Sequence, residues 1–97
     1  MIIFVPALNI CELPMNILYF AMIRESIGKS SEDIELPANV STVDTLITHL
    51  EATGENYKSA FAQSDLIRVA VNEQYVGLDH KISDNDEVAF FPPMTGG

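Results

Sequence analysis

The chain has 97 residues, enough for one domain with a modest core, and 47% of them are hydrophobic, which excludes a disordered chain. Lys and Arg total 5 against 14 Asp and Glu, a formal net charge of -9. That balance argues against a nucleic-acid partner, whose phosphates require clustered cations, and favours docking on basic surfaces.

Residues 1–14 read MIIFVPALNICELP. The stretch is apolar, but it lacks the positive flank and small-residue cleavage site of a signal peptide, and Pro6 and Pro14 break any helix through it. It reads as an extension outside the functional domain, which then spans 15–97. The rival reading is an added strand or an apolar contact arm. No apolar run in the chain reaches the roughly 18–20 residues of a membrane span, so no membrane association is expected. Cys11 is the single cysteine. It leaves no internal disulfide and no cysteine-based zinc site, and it points to a reducing, cytoplasmic setting.

Asn16 to Ile23 is nearly continuously apolar and predicts a first strand covered on both faces. Gly28 marks a turn. Asp33 to Leu36 alternates polar and apolar and predicts a half-exposed second strand ending at Pro37, in a hairpin with the first. Ser41 with Asp44 three residues on resembles a capping box. Val43, Leu46, Ile47 and Leu50 then form one apolar helical stripe, stopped by Gly54. His49 falls off that stripe, on the solvated side. Asn56 to Ala62 predicts a short second helix.

Leu66 to Val71 predicts a third strand, Asn72-Glu73 a tight turn, and Gln74 to Val76 a short fourth strand. Ser83 to Asp86 is a turn cluster, and Glu87 to Phe91 is the last strand. Two hairpins joined by a helical crossover predict an α+β fold of β-grasp topology, a mixed sheet with one main helix across it.

The chemistry-bearing residues do not form a self-sufficient active site. There is no phosphate loop and no dinucleotide fingerprint. His49 and His80 match no ligand spacing, so no metal site is expected. Asp84, Asp86 and Glu87 crowd a turn but lack the central glycine and spaced ligands of a calcium loop. Arg24 and Glu25 are read as a local pair or as a partner contact.

The last nine residues, AFFPPMTGG, differ from an ordinary frayed end. Pro92 and Pro93 lack ladder donors, so they end the strand and favour an extended polyproline course. Residues 92–97 can reach on the order of 20 Å at ~3.3 Å per residue. Gly96 and Gly97 carry no side chains and can enter a channel too narrow for other residues. The pattern describes a stiff arm with a slim tip.

ILYFAMIRE, RVAVNEQYV and DEVAFFPPMTGG together resemble the small subunit of molybdopterin synthase, the MoaD family of ubiquitin-like β-grasp sulfur carriers. The resemblance begins at Met15 and runs to the last residue. It implies that an ATP-dependent activating enzyme adenylates Gly97, that a sulfur donor protein converts it to a thiocarboxylate, and that the large synthase subunit receives the arm. The sulfur then passes to cyclic pyranopterin monophosphate during molybdenum cofactor biosynthesis. No cofactor is held by the carrier itself, and acid–base groups would come from the large subunit. The resemblance also implies a heterotetramer of two small subunits on a large-subunit dimer. It gives Gly97 and Gly96 the reactive tip. Pro92, Pro93, Met94 and Thr95 become arm contacts, and Phe20, Tyr75 and Phe91 interface anchors. For Phe20 burial in the core is an equal alternative, and Tyr75 stands where an aliphatic residue is expected. Competing readings are a carrier for thiamine or tRNA thiolation, a protein modifier, and a β-grasp binding module without covalent chemistry.

Overall fold

The computed structural model describes residues 14–62 and 66–93. The arm tip, Met94, Thr95, Gly96 and Gly97, lies outside the described residues, as does nearly all of the 1–14 segment. Among the described residues are five strands: β1 (Met15–Tyr19), β2 (Ser31–Ile34), β3 (Arg68–Val71), β4 (Gln74–Val76) and β5 (Glu87–Phe91). Three helices accompany them: α1 (Ala21–Ile27), α2 (Val43–Glu51) and α3 (Glu55–Ala60). The sheet order is β2-β1-β5-β3-β4. β5 runs parallel to β1 and antiparallel to β3, so the sheet is mixed and the α+β, β-grasp expectation holds. The main helix expected is α2 and the short second helix expected at Asn56 to Ala62 is α3; α1 is the helix the sequence reading did not expect.

β1 ends at Tyr19, and Phe20 to Ile23 does not continue it as expected. Ala21 has a left-handed backbone, φ 54, which turns the chain out of the sheet. The Phe20 carbonyl then accepts the amides of Ile23 and Arg24, and α1 begins. Ile23 and Ile27, one turn apart, are both buried. Gly28 is the left-handed cap of this helix, φ 89, with its N–H donating to Arg24 O at 2.8 Å. β1 and β2 are therefore antiparallel neighbours joined through a helix, not a hairpin. β2 lies at Ser31–Ile34, two residues earlier than the Asp33–Leu36 expected, because its ladder ends where Ile34 meets Met15, just after Pro14.

The α2 cap also shifts by one residue. Thr42 Oγ1 accepts the Thr45 amide at 3.2 Å, and Thr45 Oγ1 accepts the Thr42 amide at 2.9 Å. Ser41 and Asp44 are not the box, although Asp44 still favours the first turn electrostatically. Gly54 does not stop α2; that helix ends at Glu51 with Ala52 as its C-cap, and Gly54, with extended backbone, precedes α3 as its N-cap. The Val43, Leu46, Ile47 and Leu50 stripe is buried as expected. β3 starts at Arg68 rather than Leu66, since Arg68 pairs with Phe91 and the prolines beyond Phe91 extend no ladder. The Asn72-Glu73 turn, β4 and β5 fall where expected. Both turn residues have positive φ, as a type I′ hairpin requires.

The core lies between the helices and one sheet face. Phe90 of β5 is fully buried, stacked on Tyr19 at 6.3 Å and edge-on to Phe61 at 5.0 Å. A polar clasp closes this core at the β2 edge. The Tyr19 and Tyr57 hydroxyls both donate to Glu32 Oε2 at 2.7 Å, and Lys29 Nζ reaches Oε1 at 3.1 Å. Burial opposes the Glu32 charge, but the two hydroxyls and Lys29 outweigh it and hold its pKa below the usual glutamate value. Burial and the Glu32 carboxylate push both tyrosines up. A carboxyl with a lowered folded pKa stabilises the fold above its unfolded pKa, and that contribution is lost as pH falls through the folded value. Glu32→Ala should therefore cost about 2–3 kcal/mol at neutral pH, because it strands the buried Tyr19 hydroxyl. The deficit relative to wild type should shrink below about pH 4. Urea unfolding of both proteins across that range measures it.

Candidate functional site

β5 alternates. Val88 and Phe90 face the helices and are buried, while Ala89 and Phe91 face the opposite side. No helix covers that second side among the described residues. The strand register lays Leu18, Ala89, Ala70 and Tyr75 in one row across β1, β5, β3 and β4. Two alanines at the centre of the row leave a low floor. Larger side chains stand around it. Phe20, Tyr75, Phe91, Pro92 and Pro93 border this floor, together with Ala21, in an apolar depression of about 430 Å³.

Each wall has a local cause. The left-handed Ala21 sends the chain into α1 directly after Phe20, whose amide donates to Phe90 O at 3.1 Å. Phe20 is thereby tied to the end of β5 and left 44% exposed, which decides against its burial in the core. Tyr75 sits on the short edge strand β4 and is 77% exposed, its ring 5.6 Å from that of Phe91. Phe91 is half-buried on the outer face, beside Arg68 across the ladder. Arg68 shares with Tyr75, Phe91 and Pro93 a smaller recess of about 230 Å³. Clustered exposed aromatics of this kind mark binding surfaces, since water covers them at a free-energy cost.

Five of the residues predicted from sequence thus meet at the root of the arm. Sequence reasoning missed Ala89 and the flanking Ala21, which also line the depression. Period-two alternation along β5 was the available signal for Ala89. Elsewhere the polar residues have structural partners. Asp86 Oδ2 accepts the Ser83 amide at 2.8 Å and its Oδ1 accepts Asn72 Nδ2 at 3.0 Å, so this carboxylate braces a turn. His49 is half-buried rather than fully solvated, and His80, Arg24 and Glu25 are exposed. Among the described residues no group of His, Cys, Asp or Glu is placed to hold a metal ion. No described helix is long and apolar enough to cross a membrane.

The model of the ThiS family matches residues 17–97. The chain belongs to the ThiS family. The molybdopterin synthase sulfur carrier subunit of Escherichia coli (strain K12) is 40% identical over 83 residues, covering 86% of this chain and 99% of that protein. The resemblance read from the sequence therefore holds. A solved Pyrococcus furiosus structure, named for molybdopterin converting factor, subunit 1, superposes with a TM-score of 0.68 at 30% identity, covering 84% of this chain and 99% of that one. A complex of subunits 1 and 2 of molybdopterin-converting factor from Helicobacter pylori shares the fold, with a TM-score of 0.58 at 21% identity over 88% of this chain and 100% of that one.

The two faces of the sheet make opposite predictions for stability. Phe90→Ala opens a cavity in the aromatic core and should cost about 3–5 kcal/mol. Tyr75→Ser removes an exposed ring and should change stability by about 0.5 kcal/mol or less. Urea denaturation of the two variants checks both values.

Proposed function

We propose that this chain is the sulfur carrier of a molybdopterin synthase, with the arm from Pro92 to Gly97 as the delivery element. The observation that carries the reading is the apolar depression built around the root of that arm. A docking surface there clamps the domain while the arm points into a partner.

The chemistry follows from the leaving group. A glycine carboxylate resists acyl substitution because it would have to expel oxide. In the proposed sequence a Gly97 carboxylate oxygen attacks the α-phosphorus of ATP in the activating enzyme, and pyrophosphate leaves. The acyl adenylate now has AMP as its leaving group. The terminal sulfur of a donor protein's persulfide attacks the acyl carbon and the C–O bond to AMP breaks. A thiol then attacks the donor-side sulfur of the resulting acyl disulfide, forming a disulfide with the donor and releasing Gly97 as a thiocarboxylate. The arm then enters the large synthase subunit, which supplies the acid–base groups, and the sulfur is transferred to the cyclic pyranopterin monophosphate. Water at the acyl carbon restores the carboxylate. A dithiolene contains two sulfurs, so two loaded carriers serve each product.

The residues of this chain support binding and positioning. Phe20, Tyr75 and Phe91 offer the large subunit apolar anchors. Pro92 and Pro93 restrict the arm before it binds and reduce the ordering entropy lost on insertion. Met94 and Thr95 are the contacts expected inside the channel, and Gly96 keeps the tip thin. The net charge of -9 favours basic partner surfaces. The Helicobacter pylori relative, solved as subunit 1 with subunit 2, illustrates the kind of assembly proposed.

Removing Gly97 tests the mechanism without touching the fold. The truncated chain should keep the wild-type melting temperature and give no molybdopterin when combined with activating enzyme, sulfur donor, ATP and large subunit. Product formation at the wild-type rate would refute the mechanism.

A further inference from the structure

A second recess, apolar on most of its walls, sits on the other side of the arm's root. It lies on the helix side of the sheet, between the start of α1, the end of α3 and the residues leading into β3. Met22, Ile23, Leu66, Ile67 and Pro92 form its apolar walls, Ser26 and Ser59 give it a polar side, and its volume is about 180 Å³. Ile23 at its base is buried, but Met22 is 51% and Leu66 48% exposed. Two large apolar side chains are thus held open around a hollow of defined size. A cavity of about 150 Å³ takes a benzene, so this one takes a single aliphatic or aromatic side chain.

Pro92 is the wall that both depressions share. On one side of it stand Phe20, Phe91 and Pro93, and on the other Met22 and Leu66. A partner that swallows the arm from Pro93 onward must close around Pro92 and so meets both sides. A second copy of this chain is a poor occupant, since each copy carries a formal charge of -9. We propose that the Met22–Leu66 recess is the second half of the docking surface and receives one apolar side chain of the large synthase subunit. The inference rests on the function proposed above. It enlarges the interface from a patch on the sheet face to a collar around the arm.

Binding of purified large subunit to the full chain, measured by calorimetry, separates the two ideas. Met22→Glu with Leu66→Ser removes the apolar rim. The carboxylate so introduced stands in the first turn of α1, where negative charge suits the helix, so the fold should persist. Phe91→Ala reports on the sheet face. Each change is expected to weaken binding about tenfold or more. Ser59→Phe, at an exposed position of α3 that lines the recess, plugs it while leaving Met22 and Leu66 intact, and should weaken binding to a similar degree even if the double variant proves unstable. Wild-type affinity for the folded recess variants, with Phe91→Ala weakened, would overturn the collar and leave the sheet-face reading standing. Wild-type affinity for all of them would overturn both.

Discussion

The structure depends on β5 being hydrogen-bonded along both edges. β1 holds it in parallel and β3 in antiparallel register, from Glu87 to Phe91. A strand paired on both sides cannot slip by one residue without exchanging its faces. Here that exchange would bring Phe91 into the core and push Phe90 into water. Burial of Phe90 against Tyr19 and Phe61 therefore fixes the direction in which Phe91 points and the place where Pro92 leaves the sheet. The aromatic core and the docking surface are two consequences of one register.

This arrangement suits a protein that presents a reactive end without processing it. The sheet supplies a rigid base, and two prolines carry the chain away from it. Tyr75 rests beside Phe91 on an edge strand whose turn is set by Asn72 and Glu73. Asn72 also binds the start of β5, with its Oδ1 accepting the Glu87 amide at 3.0 Å and its Nδ2 donating to Asp86. The turn that positions Tyr75 is thus tied to the strand that positions Phe91. At the far edge the Glu32 clasp joins β1, β2 and α3 through two tyrosines. The functional groups sit on strands and on the first residues beyond them, where geometry is best determined.

Much of this was legible in the sequence. The last strand, the Asn72-Glu73 turn and the α2 stripe follow from alternation, turn chemistry and helical spacing, all of which are local. The first strand was overextended because Tyr19-Phe20-Ala21-Met22 is uniformly apolar and an alanine gives no warning of a left-handed backbone. The helix signal was present in the Ile23 and Ile27 spacing and in Gly28, but a single turn-like glycine has two readings. Gly54 shows the same ambiguity, as it precedes a helix rather than ending one. The Glu32 clasp was invisible, since its two tyrosines lie 13 and 25 residues away and no short motif joins them. Phe20, Tyr75 and Phe91 were identified through resemblance, and only the folded structure shows that they share one surface.

The account's central claim is that Gly97 is converted to a thiocarboxylate. The most direct measurement is an intact mass spectrum of the full chain after incubation with its activating enzyme, a sulfur donor and ATP, with fragmentation of the C-terminal peptide. The account predicts the mass change of one oxygen replaced by sulfur, localised to Gly97. An unmodified carboxylate under those conditions, or Gly97 joined to lysines of other proteins instead, would contradict it.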